Sequence, residues 1–217
     1  MKTALLLATA LSVSAVAAEA ASLLTNGDFE AGNVGFSTDL NYVPGTGNGA
    51  GQYDVDTNPD DWFGSFADFG DNTSGTGNMM MVNGSTTAGD VVWSQTVNVS
   101  SDTDYSFAGF ISAIFRGSSA LTLEINSVLV GSITGPSTVA IWEDFDFTWG
   151  SGSATSATIS LLQASTAFGG NDYALDDLSF TANGTTPPPT VPLPAAAWML
   201  IAAMGGLFGL SRRKKIT

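Results

Sequence analysis

The chain has 217 residues, with no cysteine and no histidine. Their absence excludes disulfide bridges, Cys–His zinc sites, Ser-His-Asp triads and cysteine nucleophiles. Between residues 21 and 190 there are nineteen acids and one basic residue, Arg116, which gives a net charge of −18. Such a surface repels the phosphates of nucleic acids. It suits divalent cations, or simply solubility in salty surroundings without a specific partner.

The amino end has the features of an export signal. Lys2 precedes an apolar stretch from Ala4 to Ala17, and Ala18-Glu19-Ala20 fits the small-x-small pattern of a cleavage site. Because the stretch is short and rich in alanine, a signal peptide over residues 1–20 is favoured over a membrane helix. The Sec translocon and signal peptidase are therefore expected partners, and the following domain is expected to be exported.

Residues 21–181 are predicted to form one all-β domain. Short β-branched and aromatic runs alternate with clusters of Gly, Asn, Asp and Ser, as expected for strands and turns. The runs read as strands are "GQYDVDT", "NMMMVNGS", "DVVWSQTVNVS", "TDYSFAGFISAIF", "ALTLEINSVLVGSI", "IWEDFDFTW" and "ATSATISLLQA". Asn126-Ser127 is expected to be a hairpin turn, and Phe145, Phe147 and Trp149 to share one face. Period-two patterns of this kind predict antiparallel sheets packed as a β-sandwich.

The stretch from Gly45 to Ser85 contains a long acidic excursion, too long for a loop without a role in a compact domain. Sugar recognition needs exposed aromatic faces with polar neighbours. Tyr53, Trp62 and Phe63 lie beside acids and an asparagine, so they are the candidate ligand platform. Anchoring of the loop is the alternative for Trp62. The other strand tryptophans, which alternate with polar residues, are assigned to the core.

The carboxyl end is predicted to hold a sorting or anchoring segment. Residues 182–190 form a stiff Pro/Thr linker. Sixteen uncharged, mostly apolar residues follow from Ala195 to Leu210, short of the roughly 20 that cross a bilayer comfortably. The basic cluster after them is expected to stay on the cytoplasmic side of the inner membrane. It consists of Arg212, Arg213, Lys214 and Lys215.

The segment "VPLPAAAWMLIAAMGGLFGLSRRKK" resembles the VPLPA variant of the PEP-CTERM sorting signals. Those signals have a proline-containing motif, a short hydrophobic transmembrane helix and a basic cluster, in that order. The resemblance implies that an exosortase recognises the motif in residues 191–217 and removes the helix. The domain would then reach the cell surface or extracellular matrix of a Gram-negative bacterium. A plain membrane anchor is the alternative. The motif residues are Val191, Pro192, Leu193, Pro194 and Ala195.

The ends of the domain, "LLTNGDFEAG" and "GGNDYALDDLSF", are similar to those of cenC-like carbohydrate-binding modules of the galactose-binding jelly-roll superfamily. The resemblance implies a jelly roll whose first and last strands run close together, with a structural Ca²⁺ between them. Calcium takes six to eight oxygen ligands, both carboxylates and carbonyls. Solvated acids that cap turns are the alternative. The implied ligands are the carboxylates of Glu30 and Asp71, carbonyls of Asp28 and Ser74, and Asp176 or, less favoured, Asp177.

Three functions follow from these features. The first is a non-enzymatic exported surface or matrix protein associated with exopolysaccharide or biofilm. The second is a polysaccharide-binding, lectin-like module. The third is a glycoside hydrolase, which needs two carboxylates about 5 to 10 Å apart in a cleft. No motif singles out such a pair, so an enzyme is the least favoured of the three.

Overall fold

The computed structural model describes residues 21–47, 49–117 and 119–183. The predicted signal peptide, the linker from residue 184 and the sorting segment at 191–217 lie outside these ranges. Among the described residues, the single helix is α1 (Pro59–Trp62). No helix in the described ranges is long and apolar enough to span a bilayer.

Within those ranges the domain is built from ten strands in two sheets. The strands are β1 (Asn41–Tyr42), β2 (Gln52–Asp56), β3 (Met79–Asn83), β4 (Val91–Asn98), β5 (Asp104–Ala113), β6 (Ala120–Ile125), β7 (Val128–Thr134), β8 (Trp142–Gly150), β9 (Ser156–Gln163) and β10 (Tyr173–Ala182). One sheet has the order β1-β2-β3-β10-β5-β8, and the other has the order β4-β9-β6-β7. Every pairing except β1 with β2 is antiparallel. The predicted β-sandwich is confirmed.

The strand predictions hold because the side-chain pattern matches the two environments of a packed sheet. All seven runs read as strands contain one, and "ALTLEINSVLVGSI" contains the β6–β7 hairpin. Its turn residues, Asn126 and Ser127, have φ angles of 52° and 61°, as a two-residue hairpin requires. On β8, Phe145 is buried while Asp144 and Asp146 on the opposite face are exposed. The core lies between the two sheets and includes Trp93, as predicted.

Strand β3 is buried on both faces, whereas a strand of a simple two-sheet sandwich has one face in solvent. Met80 and Val82 point into the core between the sheets. Met79 and Met81 belong to a second apolar cluster, together with Trp62 and other residues of the acidic excursion. The excursion therefore folds over the outer face of the six-stranded sheet.

The two ends of the domain run side by side, although residues 22–28 form no regular strand. The amide of Leu23 donates to the carbonyl of Phe180 at 2.8 Å, and the amide of Leu178 donates to the carbonyl of Gly27 at 2.8 Å. A Cβ on Gly27 would lie 1.9 Å from the Leu178 carbonyl oxygen. A glycine at this position therefore allows the two backbones to approach.

Candidate functional site

Two concave regions lie at opposite ends of β3. We call the one beyond Asn83 the aromatic cleft, and the one formed by the loop that leads into β3 the acidic cavity. The cleft has a volume of about 240 Å³. It is lined by Ala50, Phe63, Ser65, Phe66, Asn83, Phe115, Phe168, Gly169 and Asp172.

The aromatic cleft presents phenylalanine rings to solvent. The Phe168 side chain is 90% exposed and that of Phe115 is 38% exposed, while Phe63 is half-buried. Phe66 is buried beneath them and packs edge to face with Phe63 at a ring distance of 5.1 Å. Ser65 and Asn83 add polar groups to the wall. Aromatic faces with a few polar neighbours are the usual lining of a small-molecule or sugar site.

Close backbone contact holds together the loops that carry the exposed rings. Gly117 has a φ of +151°, and a Cβ there would lie 1.9 Å from the carbonyl oxygen of Gly170. The loop after β5, which carries Phe115, therefore lies directly against the loop before β10, which carries Phe168. Both rings line the same cleft.

Asp172 is the buried acid of the cleft wall, with 4% of its surface exposed. Its carboxylate accepts hydrogen bonds from the amides of Gly84 at 3.1 Å and Gly170 at 3.3 Å. Burial raises the pKa of this carboxyl, and the two amides offset only part of the rise. Asp172 therefore ties the end of β3 to the start of β10.

The predicted sugar platform at Tyr53 and Trp62 is wrong, because both side chains are buried. Tyr53 is 4% exposed and donates its hydroxyl to Asn33 Oδ1 at 2.8 Å. Trp62 is 2% exposed and donates Nε1–H to the carbonyl of Val43 at 2.8 Å. Trp62 therefore anchors the loop, which was the alternative. Of the three predicted residues, Phe63 alone lines the cleft.

Phe115 and Phe168 were not among the residues predicted to bind sugar. Phe115 was read as the end of a strand, and Phe168 lies in the glycine-rich stretch "AFGGN" outside any strand pattern. A large aromatic residue in a turn, with no alternating apolar partners, was the one available signal. Nothing in the sequence places Phe168 in the same cleft as Phe115, since this depends on the two loops meeting in the fold.

The acidic cavity brings most of the predicted calcium ligands to one place. Its volume is about 290 Å³. Its lining residues are Asp28, Glu30, Asp71, Thr73, Ser74 and Asp177. Asp176 is 1% exposed and is not part of the lining.

Asp177 reaches the cavity because β10 is irregular at this point. The strand register shifts between Asp176 and Ser179, and Asp177 has a φ of 50°. The side chain of Asp177 accepts hydrogen bonds from Asn72 Nδ2 at 2.8 Å and from the Thr73 hydroxyl at 2.6 Å. The bulge thus turns Asp177 towards the loop that precedes β3.

Asp71 organises that loop. Its carboxylate accepts hydrogen bonds from the amide of Ser74 at 2.8 Å, the hydroxyl of Ser74 at 2.9 Å and the amide of Gly77 at 2.6 Å. Burial by itself would raise the pKa of Asp71, but these donors outweigh it and the pKa is lowered. Glu30 fastens the amino-terminal segment to the same loop, because its Oε1 accepts from the amide of Asn78 at 2.9 Å.

Asp176 has the opposite pKa shift. Burial raises its pKa to about 7, and the negative charges of Asp177 and Asp71 add to the rise. The amides of Asn72 and Asp177, each at 2.8 Å, oppose the rise without cancelling it. The negative charge around Asp176 is therefore only partly compensated by the loop.

The carboxylates around the acidic cavity do not converge on one point. Among the described residues, no group of three or more acids is arranged to hold a metal ion. The oxygens of Asp71 and one oxygen of Glu30 face backbone amides instead. The donor chemistry itself fits a hard cation, since the side chains around the cavity offer carboxylate and hydroxyl oxygens. The calcium assignment stays a prediction.

The fold is similar to that of solved carbohydrate-binding domains. No protein-family model matches the chain, and no curated protein matches it. The CBM22-1 xylan-binding domain of Paenibacillus barcinonensis Xyn10C is 14% identical, with a TM-score of 0.50 over 77% of this chain and 97% of that domain. An arabinose-bound α-L-arabinofuranosidase is also 14% identical, with a TM-score of 0.50 over 76% of this chain and 27% of the enzyme. The described domain therefore has the jelly-roll fold of carbohydrate-binding modules.

Proposed function

We propose that this protein is an exported polysaccharide-binding module whose ligand lies in the aromatic cleft. The observation that carries the proposal is the exposure of Phe168 and Phe115 on two loops that backbone contact holds together. Solvent exposure of a phenylalanine leaves a large apolar surface in water, and a sugar ring stacked on that surface would remove it from water. The jelly-roll fold, shared with a xylan-binding domain, supports the same function.

Binding without catalysis is the activity that the cleft chemistry supports. Hydrolysis of a glycosidic bond needs two carboxylates that flank the sugar. Asp172 is the one acid among the described residues that line the cleft, and two backbone amides already engage it. Asp176 has the raised pKa typical of a general acid, but at 1% exposure it does not face solvent or a substrate.

The place of action that we propose is the cell surface or extracellular matrix. The support comes from the sequence alone: the export signal at 1–20 and the resemblance of 191–217 to an exosortase sorting signal. In this account the exosortase removes the hydrophobic helix, and the released module binds exopolysaccharide or biofilm matrix. Mass spectrometry of the carboxyl terminus, in cells with and without the exosortase, tests this step. A mature protein that retains Trp198 to Lys215 in cells with the enzyme would contradict it.

We further propose that Ca²⁺ binds at the acidic cavity as a structural ion. The carboxylates of Glu30, Asp71 and Asp177 would hold it. The backbone carbonyl of Asp28 and the backbone or hydroxyl oxygen of Ser74 would complete the set. When bound, the ion would supply the positive charge that the surrounding side chains lack. Its support is the gathering of Asp28, Glu30, Asp71 and Asp177 around one cavity, in a domain with a single basic residue. Both oxygens of Asp71 already accept hydrogen bonds, whereas Glu30 accepts the Asn78 amide through Oε1.

Affinity electrophoresis of the exported protein in gels that contain single polysaccharides tests the sugar function. We expect retardation by at least one polysaccharide, and about a tenfold loss of affinity in Phe168→Ala through loss of stacking. Phe115→Ala should show a smaller loss, because less of its ring is exposed.

Leu129→Ala is the matched control, since Leu129 is 62% exposed but lies on β7, away from the cleft. Its retardation should equal that of the unmodified protein. Equal retardation of Phe168→Ala and Leu129→Ala would show that the ligand does not lie in the cleft. No retardation by any polysaccharide would refute the function itself.

A further inference from the structure

Arg116 is the one basic side chain in the described domain, and its backbone lies where the two loops beside the aromatic cleft meet, since a Cβ on Gly170 would lie 2.6 Å from the Arg116 carbonyl oxygen. It directly follows Phe115, whose ring lines the cleft, and directly precedes Gly117, which abuts Gly170. Its side chain is exposed. A domain with nineteen acids thus places its one basic residue at the contact of the two loops that carry its exposed cleft rings.

The guanidinium of Arg116 is available to a ligand. With none of the described residues does it form a hydrogen bond or an ion pair. Guanidinium groups present parallel N–H donors that match a carboxylate, and they also lie well against aromatic faces. The side chain therefore offers charge-assisted recognition on the same loop as the Phe115 ring.

The rest of the domain limits how much negative charge a ligand can carry. Residues 21–190 have a net charge of −18, and salt at physiological strength screens charges only beyond about 8 Å. An anion beside the guanidinium is attracted at short range, whereas further anions along a polymer meet the acidic surface. Attraction is thus confined to one position beside Arg116.

From this juxtaposition we propose that the cleft binds a polysaccharide with isolated acidic sugars. A uronic acid carboxylate lies on the Arg116 guanidinium, and uncharged sugar rings stack on Phe115 and Phe168. Densely charged polyuronates bind less well. This inference rests on the proposed sugar function and names its ligand class.

Titration of the exported protein with D-glucuronate and with D-glucose, followed by NMR shifts of the cleft amides, tests the inference. Glucuronate should bind about fivefold more tightly than glucose, which is the size of one exposed ion pair. Arg116→Gln should abolish the difference while glucose still binds, and Arg116→Lys should keep part of it. Polygalacturonate should bind more weakly at 10 mM salt than at 150 mM salt, because salt screens the repulsion.

The outcomes separate this inference from the proposed function. Equal affinity for glucuronate and glucose, unchanged in Arg116→Gln, would overturn the role of Arg116 and leave sugar binding intact. Absence of binding by both sugars and by every polysaccharide in the gel assay would overturn sugar binding and this inference with it. Polygalacturonate binding that weakens steadily as salt rises would overturn the preference for isolated charges.

Discussion

Asp71 and Asp172, at the two ends of β3, have opposite pKa shifts. At the acidic cavity, Asp71 accepts several hydrogen bonds from its own loop, and its pKa is lowered. At the aromatic cleft, Asp172 has two amide donors and its pKa is raised by burial. The pKa of Asp176, which lies close to Asp71 in space, is raised as well, mainly by burial. Both ends bury carboxylates, so the number of donors relative to the degree of burial decides the direction of each shift.

The two regions also differ in their roles, one in structure and the other in ligand binding. The acidic cavity joins the amino-terminal segment, the loop before β3 and β10 through side-chain hydrogen bonds. The aromatic cleft leaves its most exposed ring, Phe168, without such a role. We therefore expect changes at the cavity to affect stability, and changes to exposed rings of the cleft to affect binding alone.

The largest loss of stability expected from a glycine substitution is at Gly117. This residue lies beside the aromatic cleft, yet its substitution is expected to affect stability. Gly117→Ala should lower the free energy of unfolding by about 3 kcal/mol, because its Cβ would overlap the Gly170 carbonyl and its φ is strained. Gly169→Ala is the matched control, since Gly169 also has positive φ but has nothing within 4 Å of the added atom. It should cost about 1 kcal/mol. Urea unfolding measures both values, and equal losses would contradict the close approach of the two loops.

Calcium is expected to act at the acidic cavity and not at the cleft. If the ion binds, a hundredfold excess over its dissociation constant stabilises the fold by about 2.7 kcal/mol. Millimolar Ca²⁺ should then raise the melting temperature and a chelator should lower it. Asp71→Asn should remove this response, whereas Asp144→Asn on the exposed face of β8 should keep it. A melting temperature that is insensitive to Ca²⁺ and chelator would contradict calcium binding.

Loss of the Asp71 charge should destabilise the loop even without calcium. Asp71→Asn keeps the shape of the side chain but weakens its bonds from the Ser74 and Gly77 amides. We expect a loss of about 2 kcal/mol in the free energy of unfolding, typical of hydrogen bonds to a charged group. Urea unfolding in chelator gives the value. An unchanged urea midpoint would show that Asp71 does not organise the loop.

A pH dependence of stability due to Asp176 is also expected. Its pKa is about 7 in the folded state and near 3.8 when unfolded, so the folded state holds more protons between these values. The free energy of unfolding should therefore decrease as pH rises from about 4 to about 7. The lowered pKa of Asp71 acts oppositely, with stability lost as pH falls below the ordinary carboxyl range.

Urea midpoints measured from pH 4.5 to 7.5 in chelator test this sign. Asp176→Asn should flatten the decrease, because an amide does not titrate. Asp144→Asn should leave the slope unchanged, since Asp144 is exposed on β8. The same slope in Asp176→Asn and in the unmodified protein would show that Asp176 is not the group responsible.

The strands could be predicted because their information is local. In β8 the alternation of Phe145, Asp144 and Asp146 requires one buried and one solvated face, and the structure has both. The acids of the cavity were also recognisable, through their resemblance to the ends of a known module. The cleft could not be predicted, because Phe115 and Phe168 are far apart in sequence and line one cleft only in the fold, where Gly117 lies against Gly170.

The sequence alone determined the sandwich class and the acidic character, and it predicts an export signal and a sorting motif. These depend on periodicity, net charge and short contiguous segments, which need no knowledge of distant contacts. The tertiary structure decided which aromatic residues are buried and which acids meet. In the folded domain Trp62 is buried and Phe168 is exposed. The side chain of Asp177 accepts a hydrogen bond from Asn72. Burial and charge compensation are properties of neighbours in space, and the folded chain supplies those neighbours from distant positions.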